Sequence, residues 1–91
     1  MESKIKQGKR VLVRAGSAGV HFGTMEERQG SEIRLSNARR LWSWNGALSL
    51  SEVASKGVDI KNSKISESVD EIILPTAIEI IFISNTCNLP V

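Results

Sequence analysis

Tyrosine is absent from this 91-residue chain, and histidine and cysteine occur once each, as His21 and Cys87. One cysteine cannot close a disulfide within the chain, which agrees with a reducing compartment. One histidine with one cysteine cannot supply the nitrogen and sulfur ligands of a zinc site, so neither a metal nor a cofactor is expected. Long apolar runs are missing as well. The longest unbroken one is Ile80 to Ile83, and the segment Ile72 to Ile83 is interrupted by Pro75, Thr76 and Glu79. A membrane span needs roughly 18 to 20 apolar residues, so no membrane partner is expected. Met1-Glu2-Ser3-Lys4 leads into polar residues rather than an apolar stretch, so no secretory signal is visible and a cytoplasmic location is expected.

Catalytic patterns are equally scarce. The adjacent acids Glu26-Glu27 and Asp70-Glu71 would face opposite sides of a strand and read as solvated charges. Ser17 stands four residues from His21, the spacing of a nucleophile and its base, but no orienting acid lies nearby and a plain turn is the better reading. The chain is not expected to be an enzyme.

What is present suits one small folded domain spanning residues 1–91, with flexible tails expected at 1–8 and 85–91. Apolar residues make up 41% and charged residues 24%, an ordinary balance for a globular protein. Net charge is only +2, yet it is unevenly spread: residues 1–44 hold nine Lys/Arg against four Asp/Glu, and residues 45–91 hold three against six. That polarity favours either an anion-binding patch in the first half or docking between subunits.

Lys9 to Arg14 is a β-branched run that reads as a first strand, closed by the small residues Ala15 to Gly19. Val20 to Met25 begins a second strand that ends at the Gln29-Gly30-Ser31 turn. Glu32-Ile33-Arg34-Leu35-Ser36 alternates strictly, sending Ile33 and Leu35 inward. Continued without a break, that period buries Arg39 and places Arg40, Trp42 and Trp44 together on the outward face. Either a β-bulge at Asn37-Ala38 resets the register and returns the tryptophans to the core, or the outward face is itself covered. Leu48 to Gly57 reads as a helix, with Ser49 and Glu52 at capping-box spacing and Gly57 as its stop. Asp59 to Ser68 reads as loop, with a short extended piece at Lys64-Ile65-Ser66. Glu71 to Leu74 reads as a strand that Pro75 must end or confine to an edge. Ala77 to Ile83 suits either a helix, by Ala77, Ile80 and Ile81, or a strand, by the alternation of Ile78, Ile80 and Phe82, and its β-branched and aromatic content favours the strand. The fold class expected is mainly β (α+β): a small antiparallel barrel or rolled sheet of about five strands with one short helix, oligomeric because so few strands leave open edges.

Two stretches could carry binding chemistry. Gly16-Ser17-Ala18-Gly19 could bring backbone N–H groups close to an oxyanion, with His21 over the same point; a hairpin turn without further role is the alternative. Arg39, Arg40, Trp42 and Trp44 combine guanidinium groups, which pair with phosphate, and indoles, which stack on bases. The alternative is that one Trp is core and the other lies beneath the helix. The ligand-binding set expected is therefore Ser17, Ala18, Gly19, His21, Arg39, Arg40, Trp42 and Trp44.

The segments "VRAGSAGVHFGTM", "LSNARRLWSWNGALSLSEVASKGV", "KISESVDEIIL" and "AIEII" resemble a family of small proteins frequent in tailed phages, over about residues 10–83. Phe82 departs from that pattern, where a proline or a small polar residue is expected. Small phage proteins of this kind include nucleotide sponges, which oligomerise and sequester the cyclic signals of CBASS or Thoeris defence without cleaving them. The resemblance implies a homo-oligomer in the host cytoplasm that holds a cyclic dinucleotide or a cyclic ADP-ribose type of nucleotide. A nucleic-acid-binding module is less favoured at net charge +2, and a protein-binding inhibitor of a host factor is the third reading.

Overall fold

The structure, a computed structural model, describes residues 8–91. Strands β1 (Arg10–Arg14), β2 (Val20–Gln29) and β3 (Glu32–Ser43) form an antiparallel meander. Helix α1 (Leu50–Lys56) follows, then β4 (Lys64–Ile65), β5 (Val69–Leu74) and β6 (Glu79–Phe82). β6 lies beside β1, while β4 and β5 lie end to end along the far side of β3. The expected mainly-β architecture is present with six strands. The extra one is Lys64–Ile65, which pairs with Ser43 and Leu41. Of the tail expected at 1–8, residues 1–7 lie outside the described residues. Gly8 donates its N–H to the Met25 carbonyl at 2.7 Å.

Of the two alternatives, the bulge is present, and it lies at Asn37-Ala38. Between the pairs Phe22–Arg39 and Thr24–Ser36, β3 sets Asn37 and Ala38 against the single Gly23 of β2. Asn37 takes φ +48°, the left-handed region, where a short polar side chain is tolerated best after glycine. The added residue reverses the alternation. Ala38, rather than a tryptophan, joins Ile33 and Leu35 in the first core, while Leu41 turns to the opposite face. A second irregularity, between Leu41 and Ser43, reverses it again beyond Trp42. The expectation that Trp42 and Trp44 share a face is therefore corrected. Trp42 follows Ala38 and is 62% exposed, whereas Trp44 packs with Leu41 in the second core.

β2 carries its own bulge at Glu26, which stands between the pairs Met25–Leu35 and Glu27–Arg34. The two bulges fold the long β2–β3 hairpin over the sheet, and the linker after β5 records the result. Ala77 N–H donates to Ser31 O (2.7 Å), and the next residue, Ile78, donates to Arg14 O (2.8 Å). In a flat sheet the hairpin tip at Ser31 and the end of β1 at Arg14 would lie about 30 Å apart, at ~3.3 Å per residue. Consecutive residues can bond to both only because the hairpin has rolled back. Val11, Val13 and Ala15 of the β1 region are thereby buried against Met25, Ile33, Leu35 and Leu74.

The sheet is rolled but not closed, so the barrel form of the expectation does not hold. Two of the linker N–H groups are used in the roll and Pro75 has none, and β5 and β6 stay unpaired with each other among the described residues. The other face forms a second core, in which Leu12, Phe22 and Leu41 meet Val53 and Ala54 of α1. The helix starts two residues later than expected, with Ser49 as its N-cap: Ser49 Oγ accepts from Glu52 N–H at 3.2 Å, while Glu52 Oε1 reaches one residue past the cap and accepts from Leu48 N–H at 2.9 Å. Residues 85–91 also differ from the expected loose tail. Leu89 is buried in the second core, Asn88 exchanges two hydrogen bonds with the backbone of Val58, and Arg10 Nη2 donates to Pro90 O at 2.7 Å.

Candidate functional site

Beyond the bulge, β3 leaves the shelter of the rolled hairpin, and Arg40 and Trp42 emerge on the first face. They line an open cleft of about 240 Å³ with His21, Ala38, Arg39, Ser66, Val69 and Ile72. The floor is apolar, from Ala38, Val69 and Ile72, and the rim is cationic.

Arg40 organises the cleft. Its Nε donates to His21 Nε2 (3.3 Å) and its Nη2 to Ala18 O (2.8 Å), while the guanidinium carbon lies 4.9 Å from the centre of the Trp42 ring. That cation–π contact holds the planar group over the indole. A guanidinium carries five N–H donors, so two in use leave three. No carboxylate pairs with Arg40 among the described residues. Arg39 is more fully engaged, with Nη1 on Ser66 O (3.1 Å) and Nη2 on Val91 O (2.9 Å). Both arginines grip the break between β4 and β5. Arg40 N–H donates to Ser66 Oγ (2.8 Å), and Ser66 N–H donates to Arg40 O (2.9 Å).

His21 is 2% exposed. Burial, and secondly the Arg40 charge, hold its pKa below the usual imidazole value. The ring is therefore neutral at pH 7, and accepting from Arg40 at Nε2 puts its proton on Nδ1, which has no partner among the described residues. A pH dependence follows. Above pH 6.5, the ordinary histidine value, folded and unfolded chains both carry a neutral ring. Below it the unfolded chain binds a proton that the folded one resists, so stability falls until the lowered native value is passed. The loss is at most about 1.4 kcal/mol per pH unit. Thermal unfolding at constant ionic strength from about pH 8 to about pH 5 measures it. His21→Gln, which keeps an acceptor for Arg40 and does not titrate, is expected to remove that part of the slope.

The eight residues expected to bind ligand separate into three groups. His21, Arg39, Arg40 and Trp42 line the cleft, and Ala18 reaches it through its carbonyl. Trp44 lies on the opposite face. The loop around Ser17 and Gly19 does not line the cleft. Gly16–Ala18 is a single turn of 3-10 helix in which Ala18 N–H bonds Ala15 O (3.0 Å) and Gly19 N–H bonds Gly16 O (3.2 Å). Those two N–H groups are used within the turn, and towards Arg40 the loop presents the Ala18 carbonyl. Ser66, Val69 and Ile72 went unrecognised in the sequence, because only the pairing of β5 with β3 sets Val69 and Ile72 opposite Ala38 and Leu35, and only bonds with the Arg40 backbone place Ser66.

Among the described residues no three His, Cys, Asp or Glu side chains gather as a metal site would need, and no helix is long and apolar enough to cross a membrane. No curated protein and no solved structure matches the chain. A family match does cover residues 8–88, a span that takes in both bulges, all six strands and every residue lining the cleft. The chain thus belongs to the DUF6948 family, described as a domain of unknown function.

Proposed function

We propose that the cleft beside Arg40 binds a small, flat, anionic ligand of nucleotide chemistry, and that the protein acts by holding it rather than by transforming it. The observation that carries this reading is the Arg40–Trp42 pair. An arginine with no carboxylate partner among the described residues is stacked on an exposed indole above an apolar floor. Guanidinium N–H groups suit phosphate oxygens, and indole, valine and isoleucine surfaces suit a base. Ligand sites for whole drug-sized molecules run from about 300 to 1,000 Å³. A cleft of about 240 Å³ thus suits one base with one phosphate, and a cyclic dinucleotide would leave its second half outside.

Holding without turnover is favoured by how the polar side chains are engaged. His21 is buried and tied to Arg40, and Ser66 Oγ accepts from Arg40 N–H and donates to Glu67 O. Neither is free to act as a nucleophile with a base at hand. Sequestration of a cyclic nucleotide immune signal in a host cytoplasm is the specific form of this reading, and it rests on the sequence resemblance alone.

The test is equilibrium dialysis against cyclic dinucleotides, cyclic ADP-ribose isomers, mononucleotides and inorganic phosphate, followed by heat release and mass spectrometry. The expected result is saturable binding of at least one nucleotide, recovered intact, with a shallow salt dependence. Failure of every nucleotide to bind overturns the reading, and recovery of a cleaved product replaces holding with catalysis. A steep loss of affinity for an oligonucleotide with salt would assign the surface to nucleic acid instead.

A further inference from the structure

The rolled sheet has two open edges among the described residues, and they are unlike one another. The outer edge of β5 carries Asp70 and Glu71, the latter tied to Arg34 on the neighbouring strand, is broken at Ser66–Ser68 and ends at Pro75. Irregularity and proline are ordinary means of keeping an edge from pairing, and Asp70 adds a charge with no ion-pair partner among the described residues. The outer edge of β6 has no lysine, no proline and no bulge. Its one charge, Glu79, is neutralised within the chain by Arg14 at 3.4 Å. Beside it stand Ile78, 55% exposed, and Phe82, 48% exposed.

We infer that β6 pairs with β6 of a second copy of this chain, in antiparallel sense about a two-fold axis at Ile81. The inference is independent of the nucleotide reading. Ile83 N–H bonds Arg10 O on the inner side. Antiparallel alternation then turns Ile81 and Glu79 toward β1 and leaves the N–H and C=O groups of Ile80 and Phe82 pointing outward. Past Phe82 the edge is closed, because Ser84 N–H donates to Ala54 O at 2.9 Å. The outward groups are therefore two donors and two acceptors. A two-fold axis at Ile81 sets Ile80 opposite Phe82 of the partner subunit and satisfies all of them in four hydrogen bonds. Charge agrees with a self-partner, since the neutralised Glu79 faces the partner subunit's Ile83 and no like charges meet. An acidic or basic peptide would find no counter-charge along this edge.

Analytical ultracentrifugation across concentration tests the pairing. A reversible monomer–dimer equilibrium is expected, and a chain that stays monomeric up to about 1 mM overturns the proposal. Phe82→Pro removes one outward donor and leaves the β1 ladder intact. It is expected to raise the dimer dissociation constant at least tenfold with little change in melting temperature, and a dimer unaffected by it overturns the assignment to this edge. Should that variant fold poorly, Ile81→Cys in a Cys87→Ser background gives a second reading. A non-hydrogen-bonded antiparallel pair places Cα atoms about 4.5 Å apart, within disulfide range. Rapid oxidation to a covalent dimer at position 81, and slow oxidation of Ile78→Cys in the same background, is expected. Equal rates at both positions overturn the register.

Discussion

Gly23→Ala is expected to cost about 3 kcal/mol, the upper end of what overpacking a core does, and so to lower the melting temperature by roughly 12 to 24 °C at ~4 to 8 °C per kcal/mol. A Cβ at this buried position would sit 2.8 Å from Ser36 O, 3.0 Å from Ala38 Cα and 3.2 Å from Asn37 O. All three are backbone atoms, so no side chain can swing aside. The Asn37-Ala38 bulge packs directly on the missing side chain, and the bulge would have to open to admit one. Gly30→Ala is the control. It has φ +62° but nothing within 4 Å of its Cβ, so only the left-handed strain of about 1 kcal/mol is expected. Differential scanning calorimetry of the two variants separates crowding from strain. Equal losses would mean that the bulge does not depend on Gly23.

That dependence explains why the strands were legible in the sequence and the register of β3 was not. Alternation is local: Ile33 and Leu35 face one way because successive side chains on a strand must. Ser49 and Glu52 announce the helix for the same reason, since the N-cap bond between them closes within one turn. The bulge was foreseeable at Asn37-Ala38 because an unbroken period would have buried Arg39. Its consequence depended on Gly23, on another strand, and on the further irregularity at Trp42, which only the pairing with Lys64–Ile65 creates. The grouping of Trp44 with Trp42 failed there.

The second core was hidden for a related reason. Leu12, Phe22 and Leu41 lie opposite the first-core residues on their own strands, so each strand is buried on both faces over part of its length. Such strands lose the apolar–polar contrast that periodicity reads. Leu89 stands between Asn88 and Pro90 near the end of the sequence, a context that reads as tail. Its burial follows from hydrogen bonds by Asn88, Arg10 and Arg39 to residues at least 30 positions away. His21, Arg39, Arg40 and Trp42 could be picked out as candidates because their chemistry is unusual for so small a chain, and the structure places all four on one cleft. The apolar floor of Val69 and Ile72 was not, since isoleucine and valine on a strand carry no chemical signature.

Arg40→Ala is expected to weaken nucleotide binding about 10- to 150-fold, the loss of charge-assisted hydrogen bonds worth roughly 1.5 to 3 kcal/mol. Arg40→Lys is expected to recover little of it. A lysine keeps the charge, but it cannot reach His21 Nε2 and Ala18 O together while lying flat on Trp42, so its ammonium would not be aimed into the cleft. Because both variants leave His21 Nε2 without its donor, some loss of stability accompanies the loss of binding. Trp42→Ala separates the two effects. Its ring is 62% exposed and lies outside both cores, so the melting temperature should hardly move. Losing a stacked base should still cost about 1 to 3 kcal/mol of binding, roughly 5- to 150-fold. Isothermal titration with whichever nucleotide is retained, beside thermal unfolding of each variant, gives the comparison. Binding that survives both Arg40→Ala and Trp42→Ala would place the ligand elsewhere on the molecule. Binding lost with Arg40→Ala but kept with Trp42→Ala would leave the cleft an anion site to which the indole contributes neither stacking nor positioning.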